Sequence, residues 1–97
     1  MHAQNAAFTF DPVEIDSWGS QLLHAGRAQD AVQVFTLGVH IYPDGLDFVY
    51  DDLAEADEAA GNKEAAIANY RHALAINPGR EHARTRLKAL GAAPTAG

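Results

Sequence analysis

The chain has no cysteine. Disulfides, thiolate metal sites and cysteine nucleophiles are therefore excluded, while the redox compartment stays open. Bases are scarce: seven lysines and arginines stand against thirteen acids, a net charge of -6. The scarcity is uneven. Residues 1 to 58 carry eleven of the acids and one base, Arg27, whereas 80 to 88, "REHARTRLK", carries four bases and one acid. Nucleic acids need a basic face, so no nucleic-acid partner is expected, and the basic stretch reads as the solvated side of a helix. No apolar run is long enough to cross a bilayer. The opening "MHAQNAAFTFDP" lacks the basic-then-apolar order of a secretory signal. No membrane partner is expected, and the expected location is cytoplasmic.

What is present is alanine-rich and periodic. Of the 97 residues, 47% are apolar, and alanine both favours helix and fits between close-packed helices. Residues 1–11 show no periodicity and read as a lead-in. "DPVE" then marks a helix start, with Asp11 as cap, Pro12 in the first turn and Glu14 three residues after the cap. The first helix runs to about Ala25, with Ile15, Trp18, Leu22 and Ala25 on its apolar side. A second is expected over about 28–42. It is apolar nearly all round and needs cover on more than one side. A strand over Val32–Tyr42 is the competing reading. A third helix fits about 46–60, with Phe48, Val49, Leu53, Ala56 and Ala60 on its apolar side. A fourth fits about 63–77, with Ala66, Ile67, Tyr70, Ala73 and Leu74 as its stripe. A fifth fits 81–90, followed by a frayed tail over 91–97. The fold class expected is all-α.

The second and fourth helices are copies. Gly26, Ala31, Phe35, Gly38 and Pro43 repeat, at an offset of 35, as Gly61, Ala66, Tyr70, Ala73 and Pro78. The first and third helices follow the same shift more loosely, with Ile15 over Tyr50, Trp18 over Leu53 and Gly19 over Ala54. Glycine reverses the chain between paired helices. Small residues let backbones approach, aromatic rings fill the gap between helices, and proline closes each unit.

These spacings resemble the tetratricopeptide family, whose unit is about 34 residues with small, aromatic and proline positions of this kind. The resemblance covers residues 12–90 and implies two helix-turn-helix repeats, about 12–45 and 47–80. A C-terminal capping helix over 81–90 and a right-handed superhelix complete the pattern. Gly38 departs from the usual alanine, and Asp57 stands where a large residue is usual, over Leu22 of the first unit. A closer likeness lies in "F-x-P-x-E", "A-V-Q-V-F-T-L-G-V-x-x-Y-P-D", "D-D-L-A-E-A" and "A-I-A-N-Y". That order resembles the helical tail that follows serine hydrolase domains related to penicillin-binding esterases. It implies an accessory or dimerising module and a bacterial origin.

Reaction chemistry finds little support in the residues. Asp16, Ser20 and His24 form a ladder of four-residue steps on one helix face, but a nucleophile also needs an activated base and an oxyanion site. The motifs "S-x-x-K" and "G-x-S-x-G" are missing. Asp51, Asp52, Glu55 and Glu58 form an acidic band without a completing loop. The five histidines, His2, His24, His40, His72 and His82, follow no zinc spacing. No enzyme activity, catalytic residue, metal or cofactor is expected.

The expected function is a protein-interaction module. In stacked hairpins the first helices line the concave side. Val13, Asp16, Ser20, Leu23 and His24 should face it from the first unit, and Phe48, Asp51, Glu55 and Glu58 from the second, with His82 and Thr85 added by the fifth helix. That face is acidic with apolar spots, so its partner should be a basic peptide or protein segment with an apolar anchor. Val34, Leu37, Val39 and Ile41 exceed what one neighbouring helix can cover. They are expected to meet the lead-in through Phe8 and Phe10, a second copy of the chain as a homodimer, or the catalytic domain of a longer parent.

Overall fold

The computed structural model describes residues 12–42 and 47–93. Expectations placed on Asp11, Phe8, Phe10, His2, Pro43 and the last residues of the tail lie outside the described residues. Five helices follow one another: α1 (Pro12–His24), α2 (Ala28–Ile41), α3 (Asp47–Ala59), α4 (Lys63–Ile76) and α5 (Glu81–Ala89). The strand considered for 32–42 is overturned. Val32 and Val34 lie in the middle of α2, where burial of one face outweighs their weaker helix propensity.

The helices end where the glycines predict. Gly26 and Gly61 have φ of 80° and 85°, a conformation that a Cβ makes costly. Each sits in the same hydrogen-bonded stop. Gly26 N–H donates to Leu23 O at 3.1 Å and Arg27 N–H to Leu22 O at 2.9 Å. Gly61 N–H donates to Glu58 O at 3.0 Å and Asn62 N–H to Asp57 O at 2.8 Å. Orphan carbonyls at the helix end are thereby satisfied, and the chain turns back within three residues. Gly91 closes α5 in the same way, with Ala92 N–H reaching Leu87 O at 2.9 Å.

Short turns make sequential helices neighbours. α1 packs on α2, α2 on α3, α3 on α4 and α4 on α5, and α1 also touches α3. Corresponding residues of the two hairpins share a fate: Ile15 and Tyr50, Gly19 and Ala54, Ala31 and Ala66, Phe35 and Tyr70, and Gly38 and Ala73 are all buried. Glycine is needed at two crossings. A Cβ on Gly19 would lie 2.5 Å from the Phe35 ring, and one on Gly38 would lie 3.0 Å from both Ile15 Cγ2 and Val49 Cγ1. The second core gathers Tyr50, Ala54, Tyr70, Ala73 and Leu74 with Ala83 and Leu87 of α5.

Two expectations about cover are corrected. The surrounded helix is α3, in which Val49, Tyr50, Asp51, Leu53, Ala54, Ala56 and Asp57 are all buried. α2 keeps Leu37 and Ile41 exposed. Trp18, expected on the buried stripe, is 48% exposed. Its counterpart Leu53 is buried against Ala31 and Phe35 of the hairpin before it, and among the described residues no hairpin precedes α1.

Asp57 has a local reason to be buried. Its Oδ2 accepts from Asn69 Nδ2 at 2.9 Å and its Oδ1 from Asn62 Nδ2 at 3.5 Å. The corresponding residues of the first hairpin are Leu22, Val34 and Arg27. One seam is thus apolar and the other hydrogen-bonded.

Candidate functional site

Acids of α3 meet bases of α5 and of the turn before it. Arg80, in the turn before α5, donates through Nε to Asp51 Oδ2 at 2.6 Å and through Nη1 to Asp47 Oδ2 at 2.9 Å. Asn77 Nδ2 also reaches Asp47, at 2.8 Å. His82 Nδ1–H donates to Asp51 Oδ1 at 2.6 Å. The Asp51 carboxylate is almost fully buried, and each oxygen has a charged or polar partner. This is what a buried charge requires. One turn and a half along α5, Arg86 grips Glu58 in a fork, with Nε to Oε2 at 3.0 Å and Nη2 to Oε1 at 2.6 Å. Tyr70 Oη donates to the same carboxylate at 2.5 Å. The Arg86 hydrogen bonds hold the Glu58 carboxyl below its usual range, against the opposing effect of burial. Burial, followed by the hydrogen bond to Glu58 and that carboxylate's charge, pushes the Tyr70 hydroxyl well up.

Open grooves among the described residues include an inner one beside this charge cluster and an outer one between α1 and α2. The inner one, about 510 Å³, is lined by Glu55, Glu58, Ala59, Tyr70, His82 and Arg86. The His82 ring stands edge-on to Tyr70, with centroids 6.0 Å apart. With Nδ1 committed to Asp51, Nε2 is the ring's remaining polar atom. Asp16 of α1 belongs to the same electrostatic neighbourhood. Burial raises its pKa, Glu55 adds to the rise, and Arg80 opposes it. Its Oδ1 is shielded from solvent and accepts no hydrogen bond. The outer groove, about 450 Å³, lies between α1 and α2 and is lined by Trp18, Leu22, Val34 and Leu37 with Arg27, Asp30 and Gln33.

The residues singled out from sequence divide accordingly. Glu55 and His24 are exposed, and Asp16, Ser20 and Phe48 are partly buried. Val13 is 69% exposed. Leu23 packs against the core cluster around Phe35. Asp51 is not on the open surface, because α5 covers it, and Glu58 is committed to Arg86 and Tyr70. Thr85 and His82 are exposed on α5. Of the four residues expected to seek cover, Val34 is buried and Val39 partly buried within the chain, so Leu37 and Ile41 remain. Arg80 and Arg86, read as part of a solvated face, are instead ion-paired.

Among the described residues Asp16 Oδ1 has no hydrogen-bond partner, so it does not bond to Ser20 or His24. Among the described residues no group of three or more His, Cys, Asp or Glu could hold a metal ion, and no helix is long and apolar enough to cross a membrane. His72 does more than decorate the surface: it stacks on Tyr50 with centroids 4.0 Å apart and rings 6° from parallel. Set against protein-family models, curated proteins and solved structures, the chain matches none of them.

Proposed function

We propose that the chain is a protein-interaction module of the tetratricopeptide kind, without a reaction of its own, that binds a basic peptide segment on the side formed by α1, α3 and α5. The observation that carries this reading is the agreement of the two hairpins in burial and in their stops. Five residue pairs at an offset of 35 are buried together, and Gly26 and Gly61 make matching turns. α5 continues the pattern, with Ala83 and Leu87 buried where Val49 and Leu53 are buried 34 residues earlier. Its outward residues Arg84 and Lys88 are exposed, as suits a terminal solvating helix.

Charge names the partner. The inner side gathers Asp16, Asp47, Asp51, Glu55 and Glu58 against Arg80 and Arg86. The acids therefore remain in excess, and Glu55 is not among the residues engaged by α5. A cationic side chain would find Asp16 and Glu55, with Phe48 nearby in sequence as an apolar contact.

The test is selection of peptides from a random displayed library on the intact chain, followed by calorimetry. The expected result is a lysine- or arginine-bearing consensus whose affinity falls about tenfold or more in the Asp16→Lys, Glu55→Lys double variant. Failure to enrich any consensus, or equal binding by the folded double variant, would refute the reading.

A second reading, self-association, is favoured by the exposed Trp18 and Leu37 that line the outer groove and by the exposed Ile41 at the end of α2. A single-chain mass by analytical ultracentrifugation at tens of micromolar (roughly the range in which a small apolar contact would assemble) would dismiss it.

A further inference from the structure

We infer that α5 is a displaceable occupant of its seat on α3 and α4, and that the seat selects a basic amphipathic helix. This deepens the interaction-module reading and rests on it. The inference starts from how little apolar material holds α5. Of the residues Glu81–Ala89, only Ala83 and Leu87 are buried. No side chain caps its first turn, and it is joined to α4 through the exposed Pro78 and Gly79.

Beyond these, Leu90 and Ala92 pack partly buried against the same core, Arg71 Nε donates to Ala93 O at 3.0 Å, His82 meets the Tyr70 ring, and the remaining attachment is charge. Arg80 joins Asp47 and Asp51, His82 joins Asp51, and Arg86 joins Glu58. Arg86 is 38% exposed, so salt reaches its pair with Glu58, whereas the pair of Arg80 with the buried Asp51 is screened less. A short helix with two buried side chains belongs to the less stable part of a fold.

Part of the seat is built by α3 and α4 alone, whereas the buried Asp51 is paired by Arg80 and His82. Glu58 lies on α3 with Tyr70 Oη pointing at it, Asp47 is braced by Asn77, and Tyr70, Ala73 and Leu74 are part of a core shared by α3 and α4. What fits this seat is written in α5 and the residue before it: a base, an imidazole or base two residues later, a small residue next, then a base and a leucine six and seven residues after the first. A partner helix with that pattern makes the same contacts and must first displace α5. The basic stretch of a chain otherwise rich in acid thereby acts as an internal competitor.

The experiment has two arms on the intact chain. In the first, hydrogen exchange is followed by mass spectrometry at 20 mM and 500 mM salt (on the order of a threefold to fivefold change in Debye length). Amides of 83–90 should exchange about tenfold faster than those of α3 and faster again at high salt. In the second, a labelled peptide of residues 79–93 is titrated into the wild-type chain and into the Arg80→Glu, Arg86→Glu chain. The double variant, its own α5 repelled, should bind the peptide about tenfold more tightly than the wild type. A peptide carrying the same two glutamates should not bind. Protection of α5 equal to that of α3 at both salts would overturn the inference, as would equal peptide affinity for both chains. If the variant fails to fold, the exchange arm decides alone. If selected library peptides bind while α5 exchange stays unchanged, the displacement fails and the interaction-module reading survives.

Discussion

Replacing Gly19 by alanine tests the packing logic of the first hairpin most directly. Alanine is the better helix former, and in an exposed helix interior the exchange would stabilise by about 1 kcal/mol. At this position the added Cβ would lie 2.5 Å from Cε1 and Cζ of Phe35 and 2.9 Å from Cδ1. Carbon atoms in contact prefer about 3.5–4.0 Å, so the shortfall is roughly 1 Å against three ring atoms at once. The ring is fully buried and cannot step aside without a new rotamer or a separation of α1 from α2. Overpacking of this kind costs about 1–3 kcal/mol, and the breadth of the clash places Gly19→Ala at the upper end. After subtraction of the propensity gain, the net loss is about 2 kcal/mol. For a domain of this size that is a fall in Tm of about 8–15 °C, read by circular dichroism or calorimetry. Shortening Phe35 to leucine removes the atoms in the way. A double-mutant cycle should therefore return a coupling of about 1–2 kcal/mol between the two sites. An unchanged or raised Tm for Gly19→Ala alone would refute the close approach of the helices.

Two further outcomes follow from the second hairpin. Asp57→Leu alone should lower stability by about 1–3 kcal/mol, because it strands the Asn69 amide. Adding Asn69→Val, which copies the Leu22 and Val34 seam of the first hairpin, should restore the urea midpoint to within about 1 kcal/mol of the parent. The Glu58→Gln variant should be less stable than the parent at neutral pH, with the gap closing in acid. Arg86 holds the folded Glu58 carboxyl below its ordinary value of 4.5, in spite of burial. The stabilisation is therefore fully present above that value and is lost as pH falls through the lower folded pKa. Denaturation curves from about pH 6 down to about pH 3 should converge for the two proteins, and a constant gap across that range would contradict the pairing.

Much of the fold is legible in the chain because its signals are local. Alanine-rich stripes, the glycines at 26 and 61 and the acids in the first turns place helix ends within two residues. The aromatic positions Phe35 and Tyr70 announce the repeated hairpin. What escapes a local reading depends on distance along the chain. Asp51 looks like a surface acid, since nothing within its own helix explains burial. Its partners Arg80 and His82 lie 29 and 31 residues away. The same holds for Glu58 and Arg86, 28 residues apart. The opposite charges of residues 1–58 and 80–88 were the available signal, and pairing them would have located part of the site. Trp18 fails for another reason: periodicity says which side of a helix is apolar, not whether a neighbour arrives to cover it. Gly19 becomes meaningful only when set beside Ala54 and the ring that follows it.

The contrast between the two hairpin seams has a consequence for assembly. Tandem copies of one motif invite a helix to choose the wrong mate, and mispaired units are a common route to aggregation. Here the choice is marked. If α1 took the place of α3 beside α4, Leu22 would confront the Asn69 carboxamide, and if α3 took the place of α1 beside α2, the Asp57 carboxylate would face Val34 with no donor. Each crossed pairing strands a polar group that the correct pairing satisfies. The Asp57–Asn69 pair, set against Leu22 and Val34, thus gives the two helices of each hairpin a preferred mate during folding.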